Sequence, residues 1–115
     1  MLDGKLQIKT GKTIAVLHNP CDLDIAAARI GENEADTVLI FVTNRAELEE
    51  RIGVLLEAAR RGAVAWVAYP KAKQLNTDLN RDIIHDLMPD KRLDTVRQIA
   101  IDDIWSALRL KYIGD

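Results

Sequence analysis

Three short apolar runs punctuate the chain. Residues 13–17 end at His18-Asn19-Pro20, residues 36–43 at Asn44-Arg45, and residues 63–69 at Pro70-Lys71. None alternates polar with apolar positions. Continuous β-rich runs of this length suit strands covered on both faces, the usual state of a parallel sheet. Between the second and third runs, Leu48, Ile52, Leu55, Leu56 and Ala59 recur at helical spacing. Asn44 is a suitable N-cap, and Glu47 three residues later completes a capping-box pattern. Glu47–Arg51 and Glu57–Arg61 are opposite-charge i,i+4 pairs, and Gly62 suits the position just past the helix end. Residues 36–69 therefore read as a right-handed βαβ unit.

The flanking segments are less regular. Leu23, Ile25, Ala26, Ala27, Ala28 and Ile30 suggest a short helix stopped at Gly31, followed by a solvated loop. After Pro70, a polar loop leads to a helix of about two turns that carries Leu79, Ile83, Ile84, Leu87 and Met88. Asp78 or Asn80 is its cap and Pro89 its stop. Residues 95–101 and 105–113 read as two further strands. The link of Asp102, Asp103 and Ile104 is too short for a parallel crossover, so the pair is an antiparallel hairpin. On the last strand Ser106, Leu108, Leu110 and Tyr112 share one face; Trp105, Ala107, Arg109 and Lys111 share the other.

At 115 residues the chain is expected to form one domain, with residues 1–11 as a flexible arm. A chain of this length buries roughly two-thirds of its unfolded surface and folds without staples. With 48% hydrophobic and 30% charged residues it falls outside the disordered and collagen-like classes. Sixteen Lys and Arg against eighteen Asp and Glu give a net charge of −2, which favours neither nucleic acid nor an anionic membrane as partner. The apolar runs fall short of the ~20 residues of a membrane span. The N-terminus has no apolar stretch with a cleavage site. A single Cys forms no internal disulfide and no Cys-cluster zinc site. Cytoplasmic localisation is the expectation.

In an open parallel sheet, ligands bind beyond the carboxyl ends of the strands. The first of these loops contains Pro20 and no glycine, whereas a phosphate cradle needs close-approaching backbone N–H groups. No cofactor is therefore expected. Cys21 sits after a strand end at an expected helix N-terminus, where a dipole lowers a thiol pKa, with His18 three residues away. The plainer reading is an inert, partly buried thiol. His18 and His85 form a metal pair only if the fold brings them together, and their spacing matches no metal motif. Asp102 and Asp103 point to opposite faces of a strand, so turn chemistry is favoured over an acid–base dyad. Arg45, Arg51, Arg60, Arg61, Lys71 and Lys73 suggest a basic patch. Glu47, Glu49, Glu50 and Glu57 on the same helix make a mixed, solvated face the better reading.

WVAYPK at residues 66–71, TDLNRD at 77–82 and IDDIWSALRLK at 101–111 resemble the signature of a small bacterial family of unknown function. KTIAVLHNP at 12–20 and DTVLIFVTNRAELEERI at 36–52 extend the resemblance over nearly the whole chain. That family is similar to a shortened core of the class I methyltransferase fold. The resemblance implies a three-layer Rossmann-like α/β sheet, mainly parallel, with a C-terminal antiparallel hairpin. It also implies that the strand holding a cofactor ribose is deleted.

The leading expectation is a non-catalytic module that binds a protein partner or self-associates, for example as a homodimer. Its polar cluster is Lys71, Asp78, Asp102, Asp103, Trp105 and Arg109, with His18, Asn19 and Cys21 as further ligand candidates. The cluster is expected to lock the hairpin to the loop after residue 70, with Asp102 or Asp103 pairing with Arg109 as one means. The alternative is a divergent enzyme binding S-adenosylmethionine or another small molecule.

Overall fold

A computed structural model describes residues 2–20, 22–71 and 74–114. The strands are β1 (Thr13–Leu17), β2 (Ala28–Arg29), β3 (Thr37–Phe41), β4 (Val64–Pro70), β5 (Leu93–Ala100) and β6 (Trp105–Tyr112). The helices are α1 (Arg45–Arg60) and α2 (Arg81–Leu87). All six strands form one sheet in the order β2-β1-β3-β4-β6-β5. β2, β1, β3 and β4 run parallel, while β6 is antiparallel to both of its neighbours. The fold is thus mixed α/β with a mostly parallel sheet and a C-terminal antiparallel hairpin.

The local signals around α1 act largely as expected. The Asn44 side chain accepts from Glu47 N at 2.9 Å, and Glu47 Oε1 accepts from Thr43 N at 2.7 Å. Two orphan donors at the helix start are thereby satisfied reciprocally. Gly62, at φ +89, turns the chain out of the helix. Glu47 and Arg51 pair at 3.2 Å. Glu57 pairs with Arg60 instead of Arg61. Arg61 donates to Glu32 O at 2.6 Å and Ala35 O at 2.9 Å, because two fixed carbonyls outcompete one exposed carboxylate.

Both helices pack on the same face of the sheet. Leu48 and Leu55 of α1 and Ile84 of α2 lie over Val38, Ile40 and Val67. The opposite face holds Ile14, Leu39, Phe41, Trp66, Ala68, Trp105 and Ala107. Its cover is the N-terminal segment and residues 23–27, neither of which is helical. This corrects two expectations. Residues 22–27 are irregular and lead into β2, so among the described residues no helix lies between β1 and β2. Exposure alternates along them, with Leu23, Ile25 and Ala27 half-buried between exposed neighbours, which is strand periodicity. The strand that follows, β2, is only two residues long.

Nor do residues 2–8 stand away from the domain as an arm. Leu6 is fully buried, and its carbonyl accepts from Trp66 Nε1 at 3.1 Å. A buried indole N–H needs such a partner. Leu2 N donates to Asp24 O, and the Asp3 carboxylate accepts from Ala26 N at 2.9 Å and Ala27 N at 3.0 Å. The two covering segments therefore hold each other. Beneath them Phe41 and Trp105 meet edge to face at 5.0 Å.

Leu6→Ala is expected to lower unfolding free energy by about 2–4 kcal/mol and to red-shift tryptophan emission, because a fully buried leucine is removed from above Trp66. A free arm would give no change in denaturant midpoint or spectrum.

Acid should weaken the same seams. The Ala26 N–H, ahead of the opposing effect of desolvation, holds the Asp3 carboxyl below the usual 3.8. The backbone N–H of Thr13 does the same for Asp36, which also accepts from the Thr13 hydroxyl. Below pH 4 the unfolded chain binds more protons than the folded one, so stability is present above that range and falls as pH drops through the folded-state values. Urea midpoints recorded from pH 6 to pH 2.5 should show this slope, and Asp3→Asn with Asp36→Asn should flatten it.

Candidate functional site

The carboxyl ends of β1, β3 and β4 lie along one edge of the sheet, as parallel pairing requires. At β1 the chain turns through His18, which holds φ +58, a conformation suited to glycine. Its side chain is exposed, as are Asn19 and Pro20. Cys21 lies outside the described residues. At β3 the α1 N-terminus is occupied from within the chain. Asn44 accepts from Glu47 N, and Asp78 Oδ1 accepts from Arg45 N at 2.7 Å. Asp78 therefore places its carboxylate where the helix dipole favours an anion, instead of capping α2. Asn80 caps α2, accepting from Ile83 N at 2.8 Å.

The remaining candidates divide between scaffold and groove. Asp102 Oδ1 accepts from Ile104 N and Trp105 N, both at 2.8 Å, which closes the hairpin turn. Asp103 is exposed beside it. Trp105 is buried against Phe41. Arg109 donates to Gln7 Oε1 at 2.5 Å, so its partner is the N-terminal segment and not Asp102 or Asp103. The hairpin is fastened to β4 by the ladder that ends at Pro70 and Trp105, and by Lys71 N donating to Ile104 O at 2.7 Å.

His18 follows β1, whereas His85 Nδ1 meets Thr95 Oγ1 of β5, the opposite edge strand, at 2.5 Å. Three strands separate β1 from β5, so the two imidazoles are not brought together. Among the described residues, no group of three or more His, Cys, Asp or Glu is placed to hold a metal. Among them too, no helix is long and apolar enough to cross a membrane. The suggested basic patch is dispersed. Arg51 donates to Phe41 O, Arg60 pairs with Glu57, Arg61 spans the Glu32 and Ala35 carbonyls, and Lys73 is outside the described residues.

A polar groove of about 500 Å³ opens where β4 ends beside the hairpin. Tyr69 and Ser106, paired across β4 and β6, are buried at its base, and Lys71 is half-buried at its edge. Asn80, Arg81 and Asp82 from the start of α2, with Gln98 from β5, complete the walls. Gln98 Nε2 donates to the Tyr69 hydroxyl at 3.1 Å, while Gln98 Oε1 accepts from Arg81 Nη1 at 3.3 Å. Burial pushes the Tyr69 phenol up from its usual range, so it stays protonated around neutrality. Of these residues, sequence reasoning had singled out only Lys71. No protein-family model matches the chain, and no curated protein matches it.

The turn assignment separates the adjacent aspartates. Asp102→Ala is expected to cost about 1 kcal/mol by stranding two backbone donors, and Asp103→Ala to cost little, in paired chemical denaturation.

Proposed function

We propose that this chain is a non-catalytic Rossmann-like binding or interaction module, a shortened form of the class I methyltransferase topology. The observation that carries the reading is the connection leaving β1. In a nucleotide-binding sheet the first strand leads through a glycine-bearing turn into a helix whose N-terminal N–H groups hold a phosphate. Here the turn is His18-Asn19-Pro20, and the described residues 22–27 that lead to β2 form no helix. Pro20 has no donor, and His18 carries a Cβ where backbone must approach closely. At α1, the one helix between adjacent parallel strands, Asp78 already holds the anion position.

The partner in this reading is a protein, a second copy of the chain or a small molecule, met in the cytoplasm. Membership of the small bacterial family implied by residues 66–71, 77–82 and 101–111 belongs to the same proposal. The three-layer arrangement survives in reduced form, with irregular chain replacing the helices of one outer layer.

A second reading is favoured by one observation. The order β2-β1-β3-β4-β6-β5, with antiparallel β6 between β4 and β5, matches what a methyltransferase-type sheet keeps after losing an outer strand. On that basis the chain is a divergent enzyme that binds S-adenosylmethionine.

Thermal denaturation with S-adenosylmethionine, S-adenosylhomocysteine, ATP and NAD separates the two. The module reading expects no saturable stabilisation. A ligand at a hundred times its Kd would add about 2.7 kcal/mol and a clear rise in Tm, and such a rise would establish the second reading.

A further inference from the structure

We infer that the groove between α2 and the ends of β4 and β6 binds a small organic anion, a carboxylate or phosphate ester whose body carries a hydroxyl or amine. The inference rests on the module reading and names the class of ligand. Lys71 is its centre. Its backbone is pinned by donation to Ile104 O, so the side chain leaves from a fixed point beside the hairpin turn. The residue is half-buried at the groove's edge, and among the described residues its ammonium has neither an ion pair nor a hydrogen bond. A cation lining a groove with no paired counter-charge is available to an anion from outside.

Arg81 lines the same groove and is only loosely engaged. Its Nε lies 3.6 Å from Asp82 Oδ1, and its Nη1 lies 3.3 Å from Gln98 Oε1. An anionic oxygen offers it shorter, charge-assisted bonds. The base supplies neutral hydroxyls. The Tyr69 oxygen accepts from Gln98, and the Ser106 hydroxyl lines the groove beside it. Because the phenol stays protonated, it presents a donor and not a second negative charge. Asp82 adds an acceptor to the wall, which favours a ligand carrying its own donor over a bare polyanion. Two cations against one carboxylate leave the lining net positive, although the chain as a whole is negative. The volume of about 500 Å³ is within the range of small-molecule sites. The groove continues past Arg81 and Gln98 into a second hollow of about 380 Å³ bordered by His85 and Thr95.

The test is an amide chemical-shift titration of the whole chain at constant ionic strength. The probes are inorganic phosphate, glycerate and glycerol 3-phosphate, with sodium chloride as the reference. Saturating shifts confined to Tyr69, Lys71, residues 80–82, Gln98 and Ser106 are expected with glycerol 3-phosphate or glycerate, and the stronger arm tells phosphate from carboxylate chemistry. Lys71→Met and Arg81→Gln should each weaken the response at least tenfold while the rest of the spectrum overlays that of the parent chain. Diffuse, non-saturating shifts with every probe, or equal affinity in both variants, would overturn the inference. Such a failure leaves the module reading standing, since that reading falls only to a nucleotide or methyl-donor cofactor that stabilises the fold.

Discussion

Everything in this molecule stems from having to bury both faces of β3 and β4 with helices on only one of them. Residues 37–41 are buried without exception, and so are residues 65–70. Apolar side chains alternate to opposite sides of a strand, so Val38 and Ile40 face α1 while Leu39, Phe41 and Trp66 need a cover of their own. The chain supplies it with its first residues and with the irregular stretch before β2. Irregular backbone over an apolar face carries many unpaired polar groups, and each must find a partner. The Trp66 indole takes the Leu6 carbonyl, Asp3 takes two N–H groups, and Arg109 takes Gln7. This second layer is consequently held by point contacts to side chains, whereas the first is held by whole helix faces.

The same constraint determines what the carboxyl edge of the sheet can do. Residues 22–27 are committed to covering the second face, so they are not free to coil into a helix after β1. Covering that face and cradling a phosphate are competing uses of one short connection, and here the cover has prevailed. The open polar space moves across the sheet to the far side of β4. There β6 inserts antiparallel between β4 and β5, and the start of α2 stands beside their paired ends. The groove collects Tyr69, Arg81 and Ser106 from three separate stretches of sequence.

How far the sequence discloses this depends on the range of the interaction. Asn44, Glu47 and Gly62 act within one turn of the chain, and the hairpin follows from a link of three residues; these are legible directly. The missing helix was legible too, through a different period. In Asp22-Leu23-Asp24-Ile25 apolar residues fall on every second position, but the alanines that follow have strong helix propensity and obscure it. Tertiary burial of Leu23 and Ile25 overrides that propensity. The docking of residues 2–8 was not legible. Leu2, Leu6 and Ile8 have no clear period, and their partner Trp66 lies sixty positions beyond Leu6.

The groove shows the same limit at the level of chemistry. Lys71 looked notable because it follows a strand end, but nothing local marks Gln98 or Arg81 as its neighbours. They meet because β5 pairs with β6 and β6 with β4, a register fixed across the entire C-terminal third of the chain. In that register Ser106 faces Tyr69 and Gln98 stands one strand further out. A one-residue slip of β6 would send Ser106 to the tryptophan face and bring Ala107 or Trp105 to the groove. Asp102, by closing the turn, sets where β6 begins. A residue that takes no part in the groove thus decides which side chains form it, which is why scaffold and site cannot be assigned here from residue type alone.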